Sequence, residues 1–233
     1  MQRTVTGTKH YYGKDGAYLG EHARFFKIAK VEKDVAFLKK ALKLNKRQHI
    51  LDIACGQGRH AHALAREGYS VDGVDFSDYL LSLAKLSSNT VAKRQPIFYR
   101  ADVTKLALKN SYDRAYWFFS DLANINPAKA LLSISKNLKM GGMLVLDTDN
   151  VFRLIGYLNE HPKSEFTFDA QSMELFDKDN GLTIPYPVMP MWQDWARQAG
   201  LRVERAIGDY KFHPYTITSP RLILVIRKTA RIT

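Results

Sequence analysis

The sequence predicts an α/β fold, a doubly wound, seven-stranded, mostly parallel sheet with an antiparallel last strand and helices on both faces. Three observations predict it. Short apolar runs alternate with segments of helical periodicity from Gln48 onward, the pattern of βαβ units. A glycine-rich turn, Asp52-Ile53-Ala54-Cys55-Gly56-Gln57-Gly58, separates the first strand from the first helix of that alternation. The last two runs, Leu201 to Ile207 and Arg221 to Arg227, are joined by a loop too short for a crossover helix, so the last strand runs antiparallel to its neighbour.

The first 20 residues carry four glycines and three tyrosines and read as a poor regular element. A helix is expected near Glu21 to Leu42, with Val35, Phe37, Leu38, Ala41 and Leu42 mostly at helical spacing. Strands are expected over Gln48 to Ala54, Ser70 to Asp75, Pro96 to Arg100, Asp113 to Phe119 and Met143 to Leu146. Helices are expected over Gly58 to Arg66, Ser77 to Leu86 and Pro127 to Leu138, the second capped by Ser77 and the third opened by a proline. Lys139-Met140-Gly141-Gly142 reads as a turn, and Val151 to Met191, rich in Phe and Pro, as an insertion with short strands of its own. Trp192 to Ala199 resumes as a helix ended by Gly200. The expected organisation is a single domain over 1–233, with a lid-like N-terminal segment, 1–25, and an insertion, 151–191, that shapes a pocket.

The 233 residues suffice for one substantial core. No apolar stretch suits a signal peptide or a spanning helix, so no membrane association is expected. The single cysteine, Cys55, excludes an intramolecular disulfide and points to a reducing, cytoplasmic setting. The net charge of +12 raises a nucleic-acid partner, but the basic residues are dispersed and read as a basic surface. The histidines show no metal-ligand spacing, so no metal is expected.

In an open α/β sheet, ligands bind beyond the carboxyl ends of the strands. Gly56 and Gly58 allow a ligand close to the backbone, and the following helix offers free N–H groups. Asp52, just before the turn, disfavours a pyrophosphate and suits a cationic ligand such as S-adenosylmethionine. Asp75, 23 positions on, is placed to accept from ribose hydroxyls, with Phe76 beside it to pack on adenine. Asp102, after the third strand, is placed for the adenine amino group, and Phe118 for the region of the transferred methyl.

With these residues in place the chain resembles the class I S-adenosylmethionine-dependent methyltransferases that act on small molecules. Ile50 to Leu80 is similar to that family's cofactor segment, Ala101-Asp102-Val103 to its adenine position, and Leu138 to Asp147 to its turn and fifth strand. Trp195 to Leu201 and Ser219 to Val225 are similar to its closing elements. The resemblance implies a Rossmann-like fold, S-adenosylmethionine as methyl donor and S-adenosylhomocysteine as product. It implies a cofactor site of Asp52, Ala54, Gly56, Gly58, Asp75, Phe76, Ala101, Asp102, Val103 and Phe118. Ala54 departs from the family, which often has glycine there, and is tolerable if the backbone angle is ordinary.

The expected reaction is in-line methyl transfer to nitrogen or oxygen of a small-molecule acceptor, by a monomer or homodimer. No catalytic residue is assigned. A hydroxyl acceptor needs a base, for which a tyrosine of the N-terminal segment, His213 or Asp121 is available. A nucleic-acid methyltransferase is the second reading. It is disfavoured because Phe118-Phe119-Ser120-Asp121 is not an Asn-Pro-Pro-Tyr-like segment. A nicotinamide-dependent oxidoreductase and a non-catalytic binding protein complete the alternatives.

Overall fold

The computed structural model describes residues 5–87, 94–109, 111–120 and 122–231. The central sheet comprises β1 (His49–Ile53), β2 (Ser70–Asp75), β3 (Ile97–Arg100), β4 (Tyr112–Trp117), β5 (Leu138–Asp149), β9 (Leu201–Ile207) and β10 (Arg221–Lys228). Its order is β3-β2-β1-β4-β5-β10-β9. Strands β1 to β5 pair in parallel, and β10 runs antiparallel to both β5 and β9. The doubly wound sheet with its reversed last strand is therefore as the sequence predicts.

Side chains alternate across the sheet with the period of two that pleating imposes. Ile50, Tyr116, Val145 and Ile223 enter one core cluster, with Leu38, Leu42 and Leu64. Their chain neighbours Leu51, Trp117, Leu144 and Leu224 enter the other, with Leu131 and Trp192. Both faces are thus dry, and helices cover both. The first cluster is covered by α3 (Ile28–Ala41) and α4 (Arg59–Arg66), the second by α6 (Pro127–Asn137) and α8 (Met189–Gln198). The expected cap forms on α5 (Asp78–Leu86), where the Leu80 N–H donates to Ser77 Oγ at 3.2 Å. Asn126 caps α6 by accepting from the Lys129 N–H at 3.0 Å, ahead of Pro127 in the first turn.

Four regions differ from expectation. The N-terminal segment is not irregular throughout: it forms α1 (Val5–Tyr11) and the short α2 (Tyr18–Glu21). Tyr11 and Tyr12 are buried against Leu80, Ala123 and Leu182, and that burial is what orders a glycine-rich stretch. The helix expected over Glu21 to Leu42 breaks at Lys27, whose extended backbone separates a 3-10 turn, Ala23–Phe26, from α3. The break sets Phe25 against Phe119, ring centroids 5.1 Å apart. The turn expected at Lys139 to Gly142 is a bulge within β5: Tyr112 pairs with Leu138 and Arg114 with Met143, and Gly141 takes φ 74°. The insertion opens with α7 (Val151–Glu160), which the sequence reading missed. Asn150 caps it, accepting from the Phe152 N–H at 3.1 Å. The strands expected there are β6 (Phe166–Asp169), β7 (Glu174–Asp177) and β8 (Leu182–Pro185), an antiparallel sheet. No helix among the described residues is long and apolar enough to cross a membrane.

A buried polar cluster ties β1, β2 and β4 together. Asp72 is fully buried, with His49 Nε2 at 2.9 Å and the Tyr112 hydroxyl donating at 3.0 Å. Burial alone raises the Asp72 carboxyl, but His49 and Tyr112 outweigh it and hold it below the ordinary value. A depressed folded pKa means the ionised form stabilises the fold. That contribution is complete above the unfolded pKa of about 3.9 and is lost as pH falls through the lower folded value. Asp72→Asn is expected to be less stable than the parent near neutrality. Urea unfolding at descending pH should show the gap narrowing below about pH 4; a gap that stays constant would refute a stabilising ionised Asp72.

Candidate active site

The strand order reverses between β1 and β4, so the chain leaves these neighbours toward opposite edges of the sheet. A crevice opens at their carboxyl ends. It holds a cavity of about 520 Å³, within the usual range for a small-molecule site. Ala54 and Gly56 line it from the turn after β1, and Asp75 and Phe76 from the end of β2. Ala101, Asp102 and Val103 line it from the end of β3. Seven of the ten residues expected to hold the cofactor are thereby brought together.

The local geometry of the turn has identifiable causes. Asp75 Oδ2 accepts from the Gly56 N–H at 2.8 Å and Oδ1 from the Ser77 N–H at 2.8 Å, so the carboxylate staples the turn to β2. Burial raises the Asp75 carboxyl, against the pull of these N–H groups. Each oxygen keeps a second lone pair for a ligand hydroxyl. Gly56 has φ 54°, and a side chain there would meet nothing closer than Leu80 Cδ1 at 3.9 Å, so the backbone is open to a ligand. Asp102 Oδ1 accepts from the N–H and the hydroxyl of Thr104, at 2.8 and 2.7 Å.

Asp52, Gly58 and Phe118 do not line this cavity. Asp52 is 3% exposed and its Oδ2 has no hydrogen-bond partner. Burial pushes its pKa up to about 7, against Tyr116 and Arg59. Gly58 has φ 75° and lies under Phe98, whose Cζ would stand 2.7 Å from an added Cβ; its glycine serves packing. Phe118 packs in the core against Phe37, His60 and Tyr210, at ring separations of 5.9, 5.6 and 5.5 Å. The next residue, Phe119, is the one that faces the crevice.

A second cavity, of about 650 Å³, adjoins the first, and Tyr18 and Phe119 line both. Its remaining walls come from α2 and the 3-10 turn, from Arg59, from the end of β5 and from the insertion, including Phe166, Leu175 and Leu182. The sequence reading assigned a pocket to the insertion without a motif, and Phe119 was missed because nothing in its sequence context sets it apart from Phe118. Among the bases considered, Tyr18 lies at the junction, whereas His213 pairs with Asp209 at 2.6 Å and lines neither cavity. Asp121 lies outside the described residues.

Phe119 is held in an uncommon conformation. Its φ is 54°, a left-handed value unfavourable for a bulky side chain. The Asp147 carboxylate fixes it, accepting from the Phe119 N–H at 3.2 Å, the Tyr210 hydroxyl at 2.9 Å and Arg221 Nε at 2.8 Å. The Asp147 carbonyl accepts from the Ser120 N–H at 2.8 Å. Lys30 Nζ, the Arg59 guanidinium and the Arg221 guanidinium stand 4.4, 5.5 and 5.6 Å from the Phe119 ring centroid. All three are within cation–π range.

Comparison with known proteins agrees with this geometry. Residues 50–142 match the methyltransferase domain family. A methyltransferase-like protein of Geobacillus sp. (strain WCH70) is 24% identical over 229 residues, 83% of this chain and 91% of that protein. Human glycine N-methyltransferase is 27% identical over 169 residues, 60% of this chain and 57% of that enzyme. The CcbJ methyltransferase of Streptomyces caelestis superposes with a TM-score of 0.72 at 15% identity, over 95% of this chain and 99% of that one. An S-adenosylmethionine-dependent methyltransferase of Clostridium acetobutylicum gives 0.71 at 15% identity, over 92% and 100% of the two chains. These structural likenesses show the fold.

Ala54 does not have the ordinary backbone angle that the sequence reading required: its φ is 53°. A left-handed alanine costs about 1–2 kcal/mol. Glycine removes that strain but gains freedom in the unfolded chain, which offsets about 0.4–1 kcal/mol. Ala54→Gly is therefore expected to raise the melting temperature by roughly 1–4 °C in differential scanning fluorimetry. A fall would show that the methyl group contributes contacts worth more than the strain.

Proposed function

We propose that the chain, whose residues 50–142 match the methyltransferase domain family, is a class I S-adenosylmethionine-dependent methyltransferase that methylates nitrogen or oxygen of a small-molecule acceptor by in-line displacement. The observation that carries this reading is the pair of cavities meeting at Tyr18 and Phe119, one at the motif turn and one under the insertion. The first is the donor site, the second the acceptor site.

The bound donor supplies an activated methyl on a sulfonium, so the protein's task is orientation and exclusion of water. Ala54 and Gly56 present bare backbone to the donor. Asp75 offers acceptor lone pairs to its ribose, and Phe76, Val103 and Ile125 offer apolar walls to its base. Asp52, just before the turn, lies buried behind this cavity with Oδ2 unpartnered, and its negative charge there favours the donor's positive end. Thr8, Lys9 and Tyr12 close the same cavity from the N-terminal segment, which acts as its lid, and the 151–191 insertion closes the acceptor side. Ser77 Oγ donates to the Tyr12 carbonyl at 2.8 Å and ties the lid to the start of α5.

A nucleic-acid acceptor is less well supported. The acceptor cavity carries Glu21, Asp149, Glu165, Asp177 and Asp179 on its walls against Arg24, Arg59 and Arg221, a net negative lining that disfavours a polyanion. The relatives include a ubiquinone biosynthesis O-methyltransferase of Coxiella burnetii, 26% identical over 72% of this chain, and that name too is of small-molecule chemistry. The deciding experiment measures S-adenosylhomocysteine release with labelled donor against panels of small amines, hydroxyl compounds and RNA. Turnover confined to RNA would end the small-molecule reading.

The raised pKa of Asp52 gives a second test. The donor and its product each carry an ammonium group near neutral pH, which favours ionised Asp52. With a pKa of about 7 the ionised fraction rises about tenfold between pH 6 and pH 8. Titration calorimetry is expected to show S-adenosylhomocysteine binding strengthening by up to about tenfold over that interval, and Asp52→Asn flattening the slope. An unchanged slope in the variant would remove Asp52 from the donor site.

A further inference from the structure

Arg59 carries a positive charge into the acceptor cavity, and among the described residues no carboxylate lies within ion-pair distance of it. Resting on the assignment of that cavity to the acceptor, we propose that Arg59 receives a carboxylate borne by the methyl acceptor, so that the substrate is a small carboxylic acid.

Two of the neighbouring cations are already paired. Lys30 pairs with Asp34, and Arg221 with Asp147 and Asp149. Among the described residues no carboxylate comes within ion-pair distance of Arg59. Its only polar side-chain contact there is a long one, Nε to His60 Nε2 at 3.4 Å. The guanidinium is instead flanked by rings, 5.1 Å from the Phe26 centroid and 5.5 Å from that of Phe119. Two aromatic faces restrain the group without removing its charge, which leaves its planar fork free for a bidentate carboxylate. Helix stability does not account for it either. Arg59 is the first residue of α4, where the positive pole of the helix disfavours a cation.

The other charges of the cavity sharpen the ligand class. Glu21 accepts from the Tyr11 hydroxyl at 2.6 Å, Asp177 from Asn180 Nδ2 at 2.9 Å, and Asp149 pairs with Arg221. Glu165 and Asp179, both exposed, bring further negative charge from the insertion. Arg24, also exposed, lines the cavity from the 3-10 turn. The cavity therefore carries charges of both signs, and its unpaired arginines suit a small acid oriented with its carboxylate toward Arg59. The donor has a carboxylate as well, but Arg59 lines the acceptor cavity and not the donor cavity.

The test uses the full chain saturated with S-adenosylhomocysteine, with thermal shift and calorimetry as readouts. The probes are acetate and benzoate, each against its neutral isostere, acetamide and benzamide. The acids are expected to stabilise the loaded parent where the amides do not. Arg59→Gln should weaken that response at least tenfold, Arg59→Lys should keep part of it, and both should bind S-adenosylhomocysteine as the parent does. Equal responses to acid and amide, or no response to either acid, would overturn the proposal. So would a variant that loses S-adenosylhomocysteine affinity yet binds 5′-methylthioadenosine normally, because that compound lacks the carboxylate and the arginine would then serve the donor. If S-adenosylhomocysteine fails to bind the parent itself, the reading of the paired cavities falls as well, which separates the two failures.

Discussion

Everything at the active site depends on β1 and β4 lying side by side while their exits diverge. Strand β1 leads through α4 to β2 on one side, and β4 leads through α6 to β5 on the other. No connection can cover the carboxyl ends of both. The gap is thus a consequence of right-handed crossovers built outward from the centre of the sheet. The apolar alternation that keeps both faces dry also fixes register: Ile50 and Leu51, or Tyr116 and Trp117, cannot exchange faces without emptying both clusters. Register in turn decides which residues stand at the rim.

Two rim residues pay a conformational cost for that position. Ala54 and Phe119, at the ends of adjacent strands, both take left-handed φ values, 53° and 54°, and both line the donor cavity. Strain of this kind persists only where surrounding contacts over-determine it. For Phe119 those contacts converge on Asp147. Its side chain gathers the β4 loop, the Tyr210 loop and the start of β10, while its carbonyl holds Ser120. The antiparallel last strand, which looks remote from the chemistry, is what delivers Arg221 to that carboxylate.

The donor half was legible in the sequence because it is built from backbone and short side chains at strand ends. Glycine at Gly56, and carboxylates at Asp75 and Asp102, fall where strand-ending rules put them, and the structure gathers them around one cavity. The same rules could not tell Phe118 from Phe119, since a one-residue difference at the end of a strand reverses the face. Nor could they see that Gly58 answers to Phe98 or that Ala54 is strained, because both facts depend on contacts and angles outside the motif. The bulge in β5 was hidden for a related reason. Gly141-Gly142 reads equally as a turn or as an interruption within a strand, and only pairing with β4 decides.

The acceptor half was illegible because it is assembled from segments far apart in the chain. Its walls join the N-terminal tyrosines, the first residue of α4, the end of β5 and the insertion, and none of these carries a local pattern for the others. Its charges also run against the composition. A chain of net charge +12 places five carboxylates around this cavity and leaves two of its arginines, Arg24 and the Arg59 beside Phe119, without an ion-pair partner among the described residues. The excess of positive charge therefore belongs to the outer surface and says little about the substrate. On the proposed assignment of the two cavities, specificity would rest on the few charges that the fold leaves unneutralised where donor and acceptor meet, because only those lose nothing to an existing partner when a ligand arrives.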